Sequence, residues 1–314
     1  MTAPVAALVD ATGNGDRAAL ARLLTIIESG GDPARDALAA LPSTAANAAV
    51  VGITGAPGAG KSTLTDGLVR RLRDSGARVA VIAVDPTSPF TGGAILGDRV
   101  RMQQHDTDDG VFVRSMATRG ELGGLARAVP NAVRALDAAG YAWILLETVG
   151  VGQVEVAVAG TADTTVVVVT PGWGDSIQAN KAGLLEIGDV FVVNKADRGG
   201  VEATVNDLQG MLMLGGPRDW SPPIIPTVAI DGRGLDELLD ALRDHRRSLE
   251  VSGELARRRE MRVQDDLRGI VLERVAKRVD DICSGPRFDN VVSRVAAGSV
   301  DPYTAATELV DDQD

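Results

Sequence analysis

Cysteine, histidine and aromatic residues are scarce in this chain of 314 residues. One cysteine, Cys283, and two histidines are present, so neither an internal disulfide framework nor a Cys/His metal-ligand spacing can be built. Aromatic residues make up 3% of the chain, so the core must consist mostly of aliphatic side chains. A single thiol is typical of proteins in a reducing compartment. We therefore expect a cytoplasmic protein.

The chain also lacks long apolar runs and an excess of basic residues. No apolar run approaches the roughly 18 residues that span a bilayer, and the N-terminus has no basic segment followed by an apolar one. The net charge is −11, and the basic residues are dispersed among acidic ones. This distribution argues against nucleic acid and against anionic membranes as partners.

Short β-branched runs alternate with helical patterns from Ala48 onward. Continuous apolar strands separated by helices predict an α/β fold, a mainly parallel sheet with helices on both faces. The predicted strands cover residues 48–54, 78–84, 111–113, 143–146, 165–169, 190–193 and 224–228. Ligands of such sheets bind at the carboxyl ends of the strands.

The sequence predicts three segments. Residues 1–47 form an N-terminal helical extension of two amphipathic helices with a break at 30–33, residues 48–250 form the sheet domain, and residues 251–314 form a helical arm that ends in a short helix pair. In the arm, one apolar stripe comprises Leu267, Ile270, Val271, Val275 and Val279. The stripe fits either an ordinary packing helix or a dimerisation arm, and we favour the arm because a stripe on a terminal appendage needs a partner.

The strongest motif is the glycine-rich segment 55–62, which follows a predicted strand and leads into a predicted helix at 63–74. Its backbone N–H groups and the helix dipole together favour a bound phosphate. We expect Lys61 to contact the β- and γ-phosphates and the Ser62 hydroxyl to bind Mg²⁺. The predicted nucleotide-binding residues of this segment are Gly55, Ala56, Pro57, Gly58, Ala59, Gly60, Lys61, Ser62 and Thr63.

A second motif, Asn-Lys-Ala-Asp at 194–197, follows the strand at 190–193. The Asp197 carboxylate can accept two hydrogen bonds from guanine, which adenine cannot supply, so the predicted ligands are GTP and GDP. We expect Asn194 to brace the neighbouring loops and the stem of Lys195 to lie along the base. A backbone N–H after the last strand is expected to contact guanine O6, within the residues Val228, Ala229 and Ile230.

Acidic residues at or near predicted strand ends provide candidate Mg²⁺ ligands: Asp85, Asp98 and Glu147. Carboxylates that converge on a phosphate-bound cation suit Mg²⁺. Glu147 and Gly150 also have the acid-x-x-Gly spacing of GTPases, in which the glycine N–H contacts the γ-phosphate. For each acid, a turn or a helix cap is the alternative.

The residues expected to assist hydrolysis are less regular. Val151 occupies the position after Gly150 where a water-orienting glutamine is usual, and the nearest glutamine is Gln153, so we expect slow intrinsic hydrolysis. A glycine-hinged loop at 172–181 predicts either a switch that brings Asp175 or Lys181 into the site, or a plain strand-to-helix turn. The candidate catalytic residues are Lys61, Glu147, Gln153, Asp175 and Lys181.

Taken together, the segments 55–62, 84–88, 91–98, 147–153, 171–175 and 194–197 closely resemble the MeaB/ArgK family of P-loop GTPases. The resemblance covers nearly the whole chain. It implies a homodimeric metallochaperone for adenosylcobalamin-dependent acyl-CoA mutases, chiefly methylmalonyl-CoA mutase, which gates cofactor loading and protects the mutase. It further implies that the loop 172–181 senses the mutase and that one Mg²⁺ site is formed by Ser62, Asp85, Asp98 and Glu147. Thr87 and Val154 depart from the family pattern without touching this chemistry.

Other functions remain as alternatives. A kinase or ATPase for lysine, arginine and ornithine transport conflicts with Asp197, which favours guanine over adenine. A nickel-inserting GTPase conflicts with the shortage of cysteine and histidine. A third alternative is a binding module in which the GTP site is purely structural.

Overall fold

The computed structural model describes residues 3–42, 47–86, 105, 107–118, 124–148, 158–172, 183, 185–214 and 219–311. The chain divides into two compact units, Met1–Arg259 and Glu260–Asp314. Within the described ranges, no helix is both long and apolar enough to cross a membrane.

Seven strands form one sheet in the larger unit. They are β1 (Ala49–Gly55), β2 (Val79–Pro86), β3 (Val111–Thr118), β4 (Trp143–Thr148), β5 (Thr164–Val169), β6 (Val190–Asn194) and β7 (Ile224–Thr227). Their order across the sheet is β3-β2-β4-β1-β5-β6-β7, and each neighbouring pair is parallel. The predicted α/β fold class is confirmed.

Helices of the larger unit pack on both faces of the sheet. In chain order, the helices of both units are α1 (Ala3–Gly13), α2 (Arg17–Ser29), α3 (Gly31–Ala40), α4 (Lys61–Asp74), α5 (Gly124–Ala138), α6 (Val201–Leu214), α7 (Leu235–Val251), α8 (Glu254–Ile282), α9 (Gly285–Ala296) and α10 (Pro302–Asp311). Because side chains of a strand alternate between faces, Val50 packs among the N-terminal helices and α5, whereas Val51 packs beneath α4 and α7. Burial on both faces explains why strands β1, β5 and β6 are apolar almost throughout.

The N-terminal extension has three helices, so the prediction of two was wrong. The missed break lies at Gly15 and Asp16. Gly15 takes a φ of 89°, and the Asp16 carboxylate accepts the N–H groups of Ala18 and Ala19 at 2.8 and 3.0 Å. This cap satisfies N–H groups that have no partner within the first turn of α2, so it starts a new helix where apolar spacing alone suggested a continuous one.

Strand β3 is longer than its apolar run, which predicted a strand at 111–113. It pairs with β2 from Val111 through Thr118, and its polar extension is held by the N-terminal layer. The Arg114 guanidinium donates to the Glu28 carboxylate at 2.7 Å and to the Ala21 carbonyl at 3.0 Å. These contacts stabilise a charged residue at a strand position that the apolar pattern of the sequence does not predict.

Two aspartates and two arginines fasten the start of α8 to the amino-terminal edge of the sheet. The Arg259 Nη2 donates to the Asp163 carboxylate at 2.7 Å, and Arg258 Nη2 lies 3.3 Å from the Asp189 carboxylate. Asp163 also accepts the Val50 N–H at 3.2 Å, and Asp189 accepts the Thr165 N–H at 2.8 Å. Each carboxylate therefore ties backbone of the sheet to the helix.

The smaller unit has a minimal core. Its buried apolar residues are Val291, Ala305 and Leu309. Along the part of α8 that belongs to this unit, large apolar side chains are exposed instead: Met261, Val263, Leu267, Ile270, Val271, Leu272, Val275 and Val279. So small a core is rarely sufficient for a helical unit of this length.

His245 is fully buried at the amino-terminal edge of the sheet, beside Asp189. Its Nδ1 is 2.8 Å from the Thr164 hydroxyl, and the Trp220 ring packs over it with centroids 4.8 Å apart. Nε2 lies 3.4 Å from Asp189 but makes no hydrogen bond. Burial lowers the pKa of His245, Asp189 opposes this effect, and the Arg258 cation adds to it.

We predict that protonation of His245 destabilises the fold. Because the pKa is lower in the folded state, the free energy of unfolding is highest above pH ~6.5 and falls as the pH drops towards the folded-state pKa, by at most about 1.4 kcal/mol per pH unit for one proton. Urea denaturation of the wild type and of His245→Gln between pH 8 and 5.5 measures this. The variant should show the flatter profile, and parallel profiles would contradict the prediction.

Candidate nucleotide-binding site

The glycine-rich loop joins the end of β1 to the start of α4. Gly55 has a φ of 136° and Gly60 a φ of 93°, both in the region that favours glycine. A Cβ at Gly55 would overlap the Val168 carbonyl oxygen, and one at Gly60 would overlap the Asn194 amide nitrogen. Only glycine lets the loop pass this close to β5 and to Asn194.

Lys61 lies inside this loop. Its side chain is buried, with 7% of the residue exposed, and its ammonium donates to the carbonyls of Gly55 and Ala56 at 2.7 and 3.2 Å. The cation is thus placed within the turn of backbone that precedes α4. Together with the N–H groups of the first turn of α4, it forms a positive site suited to a phosphate.

A hydroxyl and a carboxylate meet beside the loop. Ser62 Oγ donates to Glu147 Oε1 at 2.5 Å. Glu147, near the end of β4, is 1% exposed and pairs in register with Ile53 of β1. Because neighbouring parallel strands end at the same edge, the sheet brings this acid to the first turn of α4.

Asn194 connects three parts of the site. Its amide Nδ2 donates to the Ala59 carbonyl of the glycine-rich loop at 2.8 Å. Its Oδ1 accepts the Thr227 hydroxyl and the Ala229 N–H, both at 3.1 Å. At 3% exposure, this side chain ties the end of β6 to the glycine-rich loop on one side and to the turn after β7 on the other.

The residues after Asn194 take an unusual backbone path. Lys195 has a φ of 61°, the one positive φ among the described residues other than glycine. Its ammonium donates to the Gly58 carbonyl at 2.7 Å, and the next N–H, of Ala196, donates to the Thr227 carbonyl at 2.9 Å. Strained backbone of this kind clusters at ligand sites. Asp197 follows as an exposed residue.

The turn after β7 holds the three predicted O6-binding positions. The Val228 N–H donates to the Arg233 carbonyl at 3.1 Å, and the Ala229 N–H is taken by Asn194. Ile230 is 88% exposed. Of these three residues, Ile230 is therefore the one that is exposed to solvent.

Several predicted site residues lie outside the described residues: Asp98, Gly150, Gln153, Asp175 and Lys181. Asp85 is the second-last residue of β2, one position beyond Val84, which is level with Thr148 of β4. The backbone of Asp85 thus lies at the strand edge that carries Glu147.

Residues 20–283 match the family described as methylmalonyl Co-A mutase-associated GTPase MeaB. The chain belongs to the MeaB family. It is therefore a P-loop GTPase that binds guanine nucleotide, as the resemblance implied.

Individual relatives of the MeaB family agree with this placement. A protein of Pyrococcus abyssi whose name describes it as a GTPase is 48% identical over 96% of this chain and 95% of its own length. GTPase ArgK of Escherichia coli is 37% identical over 81% of this chain and 80% of that one. The mouse methylmalonic aciduria type A homolog is 34% identical over 83% of this chain and 64% of that one.

A solved structure supports the fold over the whole length. The crystal structure of a LAO/AO transport system kinase superposes with a TM-score of 0.70 at 28% identity, and it covers 99% of this chain and 98% of that one.

Sequence reasoning missed two features of this MeaB-family site. The first feature is Thr227, the residue before the three predicted O6-binding positions, whose hydroxyl donates to Asn194. A polar residue at the carboxyl end of an otherwise apolar strand was the available signal. The second feature is the contact of His105 with Asp66 on α4, at 2.7 Å, for which sequence spacing gave no sign.

Proposed function

We propose that this protein binds GTP with Mg²⁺, hydrolyses it slowly, and acts as a chaperone that gates adenosylcobalamin loading and protects methylmalonyl-CoA mutase or a related acyl-CoA mutase. The observation that carries the nucleotide part is the position of Asn194, which joins the glycine-rich loop to the Lys195–Asp197 segment and to the turn after β7. The mutase part rests on membership of a family described as mutase-associated.

Guanine recognition is assigned to Asp197 and Ile230. Asp197 is exposed directly after the strained Lys195, so its carboxylate is free of the burial that would hinder two hydrogen bonds to the base. The Lys195 stem, fixed by its bond to Gly58, offers an apolar surface to the base. With the Ala229 N–H bonded to Asn194, the Ile230 N–H is the candidate donor to O6.

The oxygen donors of Ser62 and Glu147 are of the kind that Mg²⁺ prefers. Ser62 and Glu147 bring a hydroxyl and a carboxylate oxygen together within 2.5 Å, and hard oxygen donors of this kind suit the ion. We assign Ser62, Glu147, Asp85 and Asp98 to the metal. Bound Mg²⁺ would neutralise charge on the phosphates.

The chain's own residues supply positioning and charge. Lys61 holds a cation where the β- and γ-phosphates would lie, and in that position it stabilises the charge of the transferring phosphoryl group. We keep Gln153, Asp175 and Lys181 as candidates for orienting the water, and Gly150 for contact with the γ-phosphate. Because Val151 replaces the usual glutamine, rapid hydrolysis requires a partner.

A homodimer formed through the arm is the assembly we propose, with 1–47 as a helical extension, 48–250 as the GTPase domain and 251–314 as the arm. The apolar residues exposed along α8 include Leu267, Ile270, Val271 and Val275, whereas the smaller unit buries few apolar side chains of its own. A second copy would cover this stripe and complete the core.

The alternatives have weaker support. The solved neighbour is titled a transport system kinase, but the exposed Asp197 favours guanine over adenine. A nickel-inserting function needs soft or imidazole ligands, and the chain has one cysteine and two histidines.

Replacing the guanine-binding carboxylate should change base specificity. In Asp197→Asn the amide cannot accept both hydrogen bonds, so we expect GTP affinity to fall at least a hundredfold, the equivalent of about 3 kcal/mol for two bonds to a charged acceptor. Xanthosine triphosphate should bind better than to the wild type, because its C2 carbonyl accepts the amide N–H. Calorimetry with both nucleotides and ATP measures this. Asp207→Asn, an exposed change on α6, is the control, and unchanged GTP binding by Asp197→Asn would contradict the assignment.

Partner stimulation tests the chaperone assignment. We expect slow GTP turnover by the isolated protein and a saturable increase when the cognate mutase is titrated in, since the partner completes the catalytic arrangement. Phosphate release is the measurement, and Lys61→Ala should abolish the increase. A flat titration would count against the mutase, and full stimulation of Lys61→Ala would favour a purely structural GTP site.

Charges placed in the apolar stripe should separate the proposed dimer. The double variant Leu267→Glu, Val275→Glu buries two carboxylates in the expected contact, so sedimentation should give the monomer mass. Lys277→Glu, an exposed polar position on the same helix, should leave the dimer intact. A wild type that sediments as a monomer at micromolar concentration would rule the arm out as a dimer contact.

A further inference from the structure

His105 and Asp66 form a buried contact one helical turn from the metal-binding serine. His105 Nε2 lies 2.7 Å from Asp66 Oδ1, and the two side chains are 9% and 15% exposed. Asp66 also accepts Arg70 Nη2 at 2.8 Å. Residues four apart lie on one face of a helix, so Ser62, Asp66 and Arg70 form a single row along α4. The upper end of this row meets Glu147, and its middle meets His105.

The turn that contains His105 touches α4 at two points. Near the loop end of the helix the contact is His105 with Asp66. In the last turn of α4, Arg73 donates to both carboxylate oxygens of Asp108 at 2.8 and 2.9 Å. Asp66 and Arg73 are seven residues, or about 10 Å, apart along the helix. One contact is therefore close to Ser62 and the other is remote from it.

The connection from β2 to β3 begins at the phosphate side of the sheet, where it leaves β2 at Pro86, next to Asp85, and it ends at the amino edge, where Val111 is level with Val79. Before it reaches that edge, it is held at His105 against the row that carries Ser62. The His105 contact is what ties this connection to the helix that presents the metal-binding hydroxyl.

We propose that His105 and Asp66 are positioning residues that join the β2–β3 connection to the Ser62 face of α4 and thereby raise the affinity for nucleotide-bound Mg²⁺. This inference rests on the proposed binding of GTP with Mg²⁺. Neither residue is assigned to the metal or to the nucleotide. The Arg73–Asp108 pair holds the same turn but serves stability alone, because it lies at the far end of the helix.

The test is the Mg²⁺ dependence of nucleotide release. The full-length protein is loaded with a fluorescent GDP analogue, and its release rate is measured over a Mg²⁺ titration and in excess chelator. In His105→Leu, the Mg²⁺ concentration for half-maximal retention should rise about tenfold, the effect of losing one hydrogen bond to a charged group. The release rate in chelator, which reports nucleotide contacts without metal, should stay within about twofold of wild type.

Two further variants separate positioning from general stability. His105→Gln keeps an N–H donor and should restore most of the Mg²⁺ affinity, whereas Asp108→Asn should lower the melting temperature and leave the Mg²⁺ titration unchanged. If His105→Leu does not fold, Asp66→Asn is measured in its place. Wild-type Mg²⁺ affinity in the leucine variant, or an equal loss in Asp108→Asn, would overturn the inference. If the rate of GDP release from the wild type did not depend on Mg²⁺, the proposed Mg²⁺ site itself would be refuted.

Discussion

The site depends on one buried amide. Asn194 donates to the glycine-rich loop and accepts from Thr227 and Ala229, so the glycine-rich loop, the end of β6 and the turn after β7 share a single side chain. A buried amide left without partners costs about 1–3 kcal/mol, so a change at any of these three contacts would destabilise the others. Gly60 is required for the same reason, since a Cβ there would displace the amide nitrogen. The positive φ of Lys195 follows from the same geometry, because the chain must turn sharply after Asn194 to return to the loop.

The two edges of the sheet use different chemistry. At the carboxyl edge, the Lys61 ammonium bonds two carbonyls of the glycine-rich loop, and the Ser62 hydroxyl bonds the Glu147 carboxylate. At the amino edge, Asp163 and Asp189 are satisfied by arginines and by strand N–H groups. Charge there is neutralised within the protein, so that edge fastens α8, whereas the carboxyl edge carries the residues that we propose bind the nucleotide and Mg²⁺.

Sequence predicted most of the sheet because its strands are buried on both faces, and continuous apolar runs such as Val166–Val169 leave little ambiguity. The prediction from sequence was wrong where tertiary contacts determine the ends of a strand or helix. The outer half of β3 is a strand because β2 pairs with it and Glu28 holds Arg114, and the start of α2 is set by the Asp16 cap. The glycine-rich and Asn-Lys-Ala-Asp motifs were also recognisable in the sequence, but the Thr227–Asn194 and His105–Asp66 contacts form only through the fold. For the second contact, spacing along the chain gave no indication.

The Ser62–Glu147 contact ties a buried carboxylate of the sheet to the first turn of α4. A carboxylate that is 1% exposed is expensive to keep charged unless a donor or a cation faces it, and here the hydroxyl at the start of α4 takes that part. A cation that binds with the nucleotide would be coordinated by oxygen atoms of the same serine and the same glutamate. Under the proposed function, Ser62 and Glu147 would both hold Mg²⁺, so the loss of the ion would change the contact between the first turn of α4 and the carboxyl end of β4.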